Sequence, residues 1–77
     1  MEIEAIKSIA AAVAFALGVI FPALAVGKIG TAAMEAIGRN PESASKVQSS
    51  MVLPVALAES MAVYALITVI LIIMFIK

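Results

Sequence analysis

Two long runs dominate the chain, Ser8 to Gly27 with no charged residue and Val47 to Ile76 with a single one, and a polar middle separates them. At about 1.5 Å per residue, runs of roughly twenty and thirty residues make helices of about 30 and 45 Å, long enough to cross a hydrocarbon core of about 30 Å. The pattern predicts a single two-helix antiparallel hairpin over residues 1–77, with a first helix over about 3–38, a turn over 39–42 and a second helix over about 43–76. Between the runs, Lys28, Glu35, Arg39, Glu42 and Lys46 are spaced within Ala-rich sequence, so helical structure is expected to continue beyond the membrane surface. The break is expected at Gly38-Arg39-Asn40-Pro41. Glycine readily terminates a helix, and Pro41 pushes Asn40 out of the α region. Pro41-Glu42-Ser43 then suits the start of the second helix, because proline is tolerated in a first turn and an acidic side chain favours that end of the helix dipole.

Small residues crowd the first helix. Ala10, Ala14 and Gly18 recur at spacing four, Ala12 and Ala16 do likewise, and Ala23 and Gly27 follow. Rows of this kind let membrane helices approach closely, and rows on several faces point to crowding on more than one side. A closed ring of copies, with the first helix in a narrow inner layer, meets that requirement. The second helix carries larger residues from Leu66 to Ile76, suited to an outer, lipid-facing layer. Pro22 and Pro54 lie inside the spans, where each removes a backbone hydrogen bond and can bend its helix.

Composition narrows the class. The 77 residues are 65% hydrophobic and 13% charged, with a mean hydropathy of +1.22, whereas an ordinary soluble domain is nearer half apolar. So short a chain cannot bury that much apolar surface by itself, so lipid and neighbouring copies must cover it. It contains no Cys and no His, which removes disulfides, thiol chemistry and the usual soft-metal ligands; no metal site and no cofactor are expected. Five acidic and five basic residues balance, without a basic run for nucleic acid or a polybasic lipid anchor. Ala23-Leu24-Ala25 offers a small-x-small cleavage pattern, but Glu2 and Glu4 make the leader acidic where a signal peptide is positive, so the first segment is read as retained. Lys28, Arg39 and Lys46 in or near the turn, against Lys7 and Lys77 near the ends, favour a cytoplasmic turn.

One residue conflicts with the lipid reading. Glu59 is the sole ionisable side chain with a charged form near neutral pH between Val47 and Ile76, and it sits near the middle of that run. Placing an acidic group there costs roughly 2.5 to 3.5 kcal/mol on insertion scales, which makes an intramembrane carboxyl a functional candidate. In the hairpin it falls level with Phe21 to Ala25, with Val26 just beyond. Apolar surroundings disfavour the carboxylate, so the group facing lipid is expected to rest protonated. Neutral in lipid and ionised on meeting a polar or cationic surface, it can carry one charge. Ser60 either hydrogen-bonds near the carboxyl or bonds back to the Ala56 carbonyl. Tyr64 either caps the site or serves helix packing. An ion pair between Glu59 and Lys28 is disfavoured, because Lys28 lies about a turn nearer the loop and can snorkel toward headgroups.

The hairpin, the turn Gly38-Arg39-Asn40-Pro41-Glu42, and Ala58-Glu59-Ser60 followed by Tyr64 together resemble the c-subunit of F-type ATP synthases over nearly the whole chain. Family members carry an Arg-Gln/Asn-Pro turn and one carboxylate on the second helix at this separation. The resemblance implies an all-α membrane protein that assembles as a homo-oligomeric rotor ring and is not an enzyme by itself. It implies that Glu59 binds the coupling ion, exchanges it with half-channels in the ATP synthase a-subunit and turns against that neighbour. It also implies that Arg39, Asn40 and Pro41 face the central stalk subunits gamma and epsilon, and that the ring sits among lipids, in a bacterial inner membrane. Aligned on the turn, Pro22 matches the family's proline on the first helix. The family's Gly-rich repeat is here largely replaced by Phe21, Ala23 and Ala25, with Gly27 kept, which puts a standard ring size in question.

The expected ion is H⁺. Sodium-binding members place a Gln on the first helix, and that position is Val26 here. A Na⁺ ion held by Glu59 and Ser60 is the alternative, but sodium needs several oxygen ligands and Val26 supplies none. A small holin-like or regulatory hairpin, in which Glu59 only bonds helices together, is the other alternative; it gives no reason for Arg39-Asn40-Pro41 at this distance from a midplane carboxyl.

Overall fold

A computed structural model describes residues 2–75 as two long helices folded back on each other, with no strand among the described residues. Helix α1 spans Ile3–Arg39, a 3₁₀ turn follows over Pro41–Ser43, and helix α2 spans Ala44–Phe75. The hairpin measures 58 × 18 × 8 Å, longer than the roughly 40 to 45 Å of a bilayer with its headgroup layers. Both helices are long and apolar enough to cross a membrane. The predicted end of the second helix at Ile76 lies outside the described residues.

Since both helices are apolar on nearly every side, residue size rather than polarity decides which face of each meets the other. The inward positions of α1 include Ala11, Ala14, Gly18, Pro22, Val26, Ile29 and Ala33, three or four residues apart. On α2 they run Ala44, Val47, Met51, Val55, Ala58, Ala62, Ala65, Val69 and Ile72, again at three or four. This is the repeat of two helices packed nearly parallel along their lengths. The best-covered hydrophobic side chains are alanines, Ala11, Ala33 and Ala58, at 6 to 7% exposure. Larger residues such as Phe21, Leu53, Met61 and Phe75 stay more than 60% exposed. A hairpin that buries only small side chains gains little hydrophobic stabilisation of its own, so its stability depends on what surrounds it.

The helices come very close at Gly18. A Cβ built there meets the Ala65 Cβ at 2.5 Å, well inside van der Waals contact, so glycine is what lets α2 come this near. The small residues that lie off this seam, among them Ala12, Ala16, Ala23 and Gly27, are not buried against α2, as crowding on more than one side requires.

Helix α1 runs through Gly38 to Arg39, and no glycine has a positive φ, so the break falls after Gly38 within the expected Gly38-Arg39-Asn40-Pro41 segment. Asn40 makes the break. Held extended at φ −143° and ψ 88° ahead of Pro41, it still donates its N–H to the Ala36 carbonyl at 3.0 Å. Its carbonyl then accepts from the Ser43 N–H at 2.9 Å and the Ser43 hydroxyl at 2.7 Å, so Ser43 satisfies the chain reversal. Proline in the first position of the 3₁₀ turn costs nothing, because that N–H has no helical partner.

Candidate site around Glu59

Ala58 faces α1 and is buried, which turns the next residue, Glu59, onto the flank of the hairpin, where it is exposed. There it borders two grooves. The first, of about 370 Å³, is lined by Val19, Pro22, Ala23 and Val26 of α1 and by Ala58, Glu59 and Ala62 of α2. The second runs toward the turn along α2, past Ala56, Val55, Val52 and Met51. Apart from Glu59 itself, every lining side chain is apolar. Two of the residues expected level with the carboxyl, Pro22 and Ala23, do border it, and Val26 joins them, whereas Phe21 points away at 69% exposure.

Glu59 has no hydrogen-bond or ion-pair partner among the described residues. Ser60, one residue on, donates its hydroxyl to the Ala56 carbonyl at 2.9 Å, the back-bonded alternative of the two open to it. Thr68 does the same to the Tyr64 carbonyl at 3.0 Å, and Tyr64 itself projects at 67% exposure. Lys28 lies in a different groove, formed with Ala23, Leu24, Gly27, Thr31, Ala32 and Glu35 on one face of α1, which removes the Lys28–Glu59 pair. No group of His, Cys, Asp or Glu among the described residues could hold a metal ion. What the site offers is one carboxyl, unpaired within its protomer, in an apolar setting.

At the other end, Arg39 and Glu35 form an ion pair at 3.8 Å across one helical turn, both heavily exposed at 81% and 61%. Arg39, Asn40 and Pro41 are exposed together at the tip.

Residues 9–72, which include both the turn and Glu59, match the family model for the ATP synthase C subunit. The chain belongs to the ATP synthase c-subunit family. It is 48% identical over 67 residues to an ATP synthase c-subunit of Dehalococcoides mccartyi, covering 87% of this chain and 88% of that protein. A Chloroflexus aurantiacus c-subunit is 38% identical over 64 residues, covering 83% and 84%. A third, from Bacteroides thetaiotaomicron, is 37% identical over 67 residues, covering 87% and 79%. No solved structure matches the chain. As a member of this family, the protein is a non-catalytic rotor component of the membrane sector, F0, of ATP synthase.

Sequence reasoning located Glu59, Val26, the Pro22 and Ala23 level and the turn but missed Val19 and Ala62 as groove walls. The signal for Ala62 was present: Ala58, Ala62 and Ala65 fall at spacings of four and three, a small-residue row on the helix otherwise marked by large side chains.

Proposed function

We propose that the chain forms a homo-oligomeric rotor ring in which Glu59 carries H⁺ across the middle of the membrane. The observation that carries this reading is the isolation of Glu59, an exposed carboxyl bordered by apolar side chains and without a partner in its own protomer. Facing lipid, such a group is favoured in its neutral form. Meeting the polar half-channels and a cationic surface of the a-subunit, it releases its proton, is drawn past as the carboxylate, and takes up another on the far side. Each elementary charge moved through the membrane potential transmits about 2.3 kcal/mol per 100 mV. Summed over the ring, that work turns the rotor and drives ATP synthesis.

A proton fits better than sodium because the groove wall opposite Glu59 is Val26, which has no oxygen to offer, and the Ser60 hydroxyl already bonds to Ala56. Tyr64 lines neither groove beside Glu59 and projects from α2, which favours its packing role over a cap on the site. The exposed tip of Arg39, Asn40 and Pro41 is the surface for the central stalk subunits gamma and epsilon, and with a cytoplasmic turn the ring lies in a bacterial inner membrane. The exposed large hydrophobics are covered by lipid and neighbouring copies.

A hydrophobic carbodiimide tests the carrier role, since it attacks a protonated carboxyl in an apolar setting. The adduct is expected on Glu59 in the folded assembly at mildly acidic pH. An unmodified Glu59 under those conditions would sink the proposal.

A further inference from the structure

We infer that Gly18 and Ala65 act as a spacer that holds the Glu59 groove at its working width, which makes Gly18 a positioning residue for ion carriage. The inference rests on the carrier role of Glu59 proposed above and adds to it a determinant outside the site. Gly18 and Ala65 form the layer next to Val19 and Ala62, the two residues at the far end of the groove from the turn. A Cβ at position 18 would lie 2.5 Å from the Ala65 Cβ and 3.6 Å from its Cα. The Ala65 methyl is fixed to its backbone and has no rotamer that moves it aside. Restoring ordinary contact at about 3.5 to 4 Å therefore requires the helices themselves to part by roughly 1 Å.

A second feature directs that displacement to the site. Pro22 has no N–H to give the Gly18 carbonyl, so the α1 turn that runs from Gly18 to Pro22 lacks one backbone hydrogen bond. The missing bond weakens α1 there, so a push at Gly18 is relieved as a bend at Pro22, which is itself a wall of the groove beside Glu59. The other three glycines behave differently: a Cβ at Gly27, Gly30 or Gly38 meets nothing within 4 Å. Gly18 alone among them is required by packing within the hairpin.

The test uses the full chain in the assembled enzyme, with Gly18→Ala, Gly18→Val and the double variant Gly18→Ala with Ala65→Gly, which moves the methyl from one helix to the other. Helix spacing is read without reference to Glu59, as the rate of disulfide formation in chains that also carry Val19→Cys and Ala62→Cys. Site function is read as the rate of carbodiimide labelling of Glu59 at neutral pH. Gly18→Ala is expected to slow both severalfold and Gly18→Val to slow both further, because a parted groove admits water, which favours the carboxylate that the reagent does not attack. The double variant is expected to recover most of each rate. Should Gly18→Val fold poorly, Gly18→Ala and its rescue suffice. Unchanged cross-linking in Gly18→Ala overturns the spacer, as does the absence of rescue, and altered cross-linking with unchanged labelling overturns the positioning role. Failure of Glu59 to label in the unsubstituted protein overturns the carrier reading instead, and leaves the cross-linking result to stand separately.

Discussion

The turn and the middle of the membrane both carry ionisable side chains, yet they treat them in opposite ways. Arg39 at the turn has a partner, Glu35, at 3.8 Å, and both are heavily exposed. Glu59 has no partner among the described residues and is bordered by alanines, valines, methionine and proline. In water a charge costs little and a pair of charges contributes little, about 0 to 1 kcal/mol. In a hydrocarbon setting a charged carboxylate costs several times more, roughly 2.5 to 3.5 kcal/mol on insertion scales. On the proposed reading, the pair at the turn belongs to a surface for recognition, whereas the unpaired group belongs to energy transfer.

The largest effect that could break this contrast comes from removing the titratable group. Glu59→Gln keeps size and hydrogen-bonding capacity but cannot exchange a proton, and ATP synthesis driven by an imposed ion gradient is expected to fall by at least about a hundredfold, while the ring still assembles. Retained synthesis would place the carrier elsewhere. An intermediate effect should come from Val26→Gln, which supplies the missing amide oxygen beside Glu59 and Ser60. Protection of Glu59 from carbodiimide by millimolar Na⁺ is expected to appear in this variant. If the amide brings no such protection, Val26 is not what decides the ion. The smallest effect belongs to Glu35→Gln: loss of the exposed pair with Arg39 should change hairpin stability by no more than about 0.5 kcal/mol, measured by thermal unfolding in detergent. A change several times larger would mean that the turn, too, holds a charge of consequence.

The broad fold was legible because charge is excluded from lipid, so the runs from Ser8 and from Val47 mark the spans without any structural information. Glu59 stood out for the same reason. The contact seam was harder to read. In a soluble helix, polarity marks the buried face; here the inward Ala11 and the outward Ala12 are identical in polarity and size, and only the geometry of the crossing separates them. Pro22 and Pro54 likewise looked alike in sequence, but Pro22 is buried at the Glu59 groove while Pro54 is exposed at the edge of a different one. Gly38 does not end its helix because its propensity to do so is weaker than the restriction that Pro41 places on Asn40. Ser60 had two available hydrogen bonds, and the one to its own helix needs no ion or partner.

Reconstituting the enzyme in proteoliposomes and driving ATP synthesis with a pH step, while Na⁺ is titrated upward from a sodium-free buffer, tests proton carriage by Glu59 most directly. Full synthesis without Na⁺ and a flat response on adding it are the predicted results. Synthesis that is absent without Na⁺ and rises with its concentration would contradict the account.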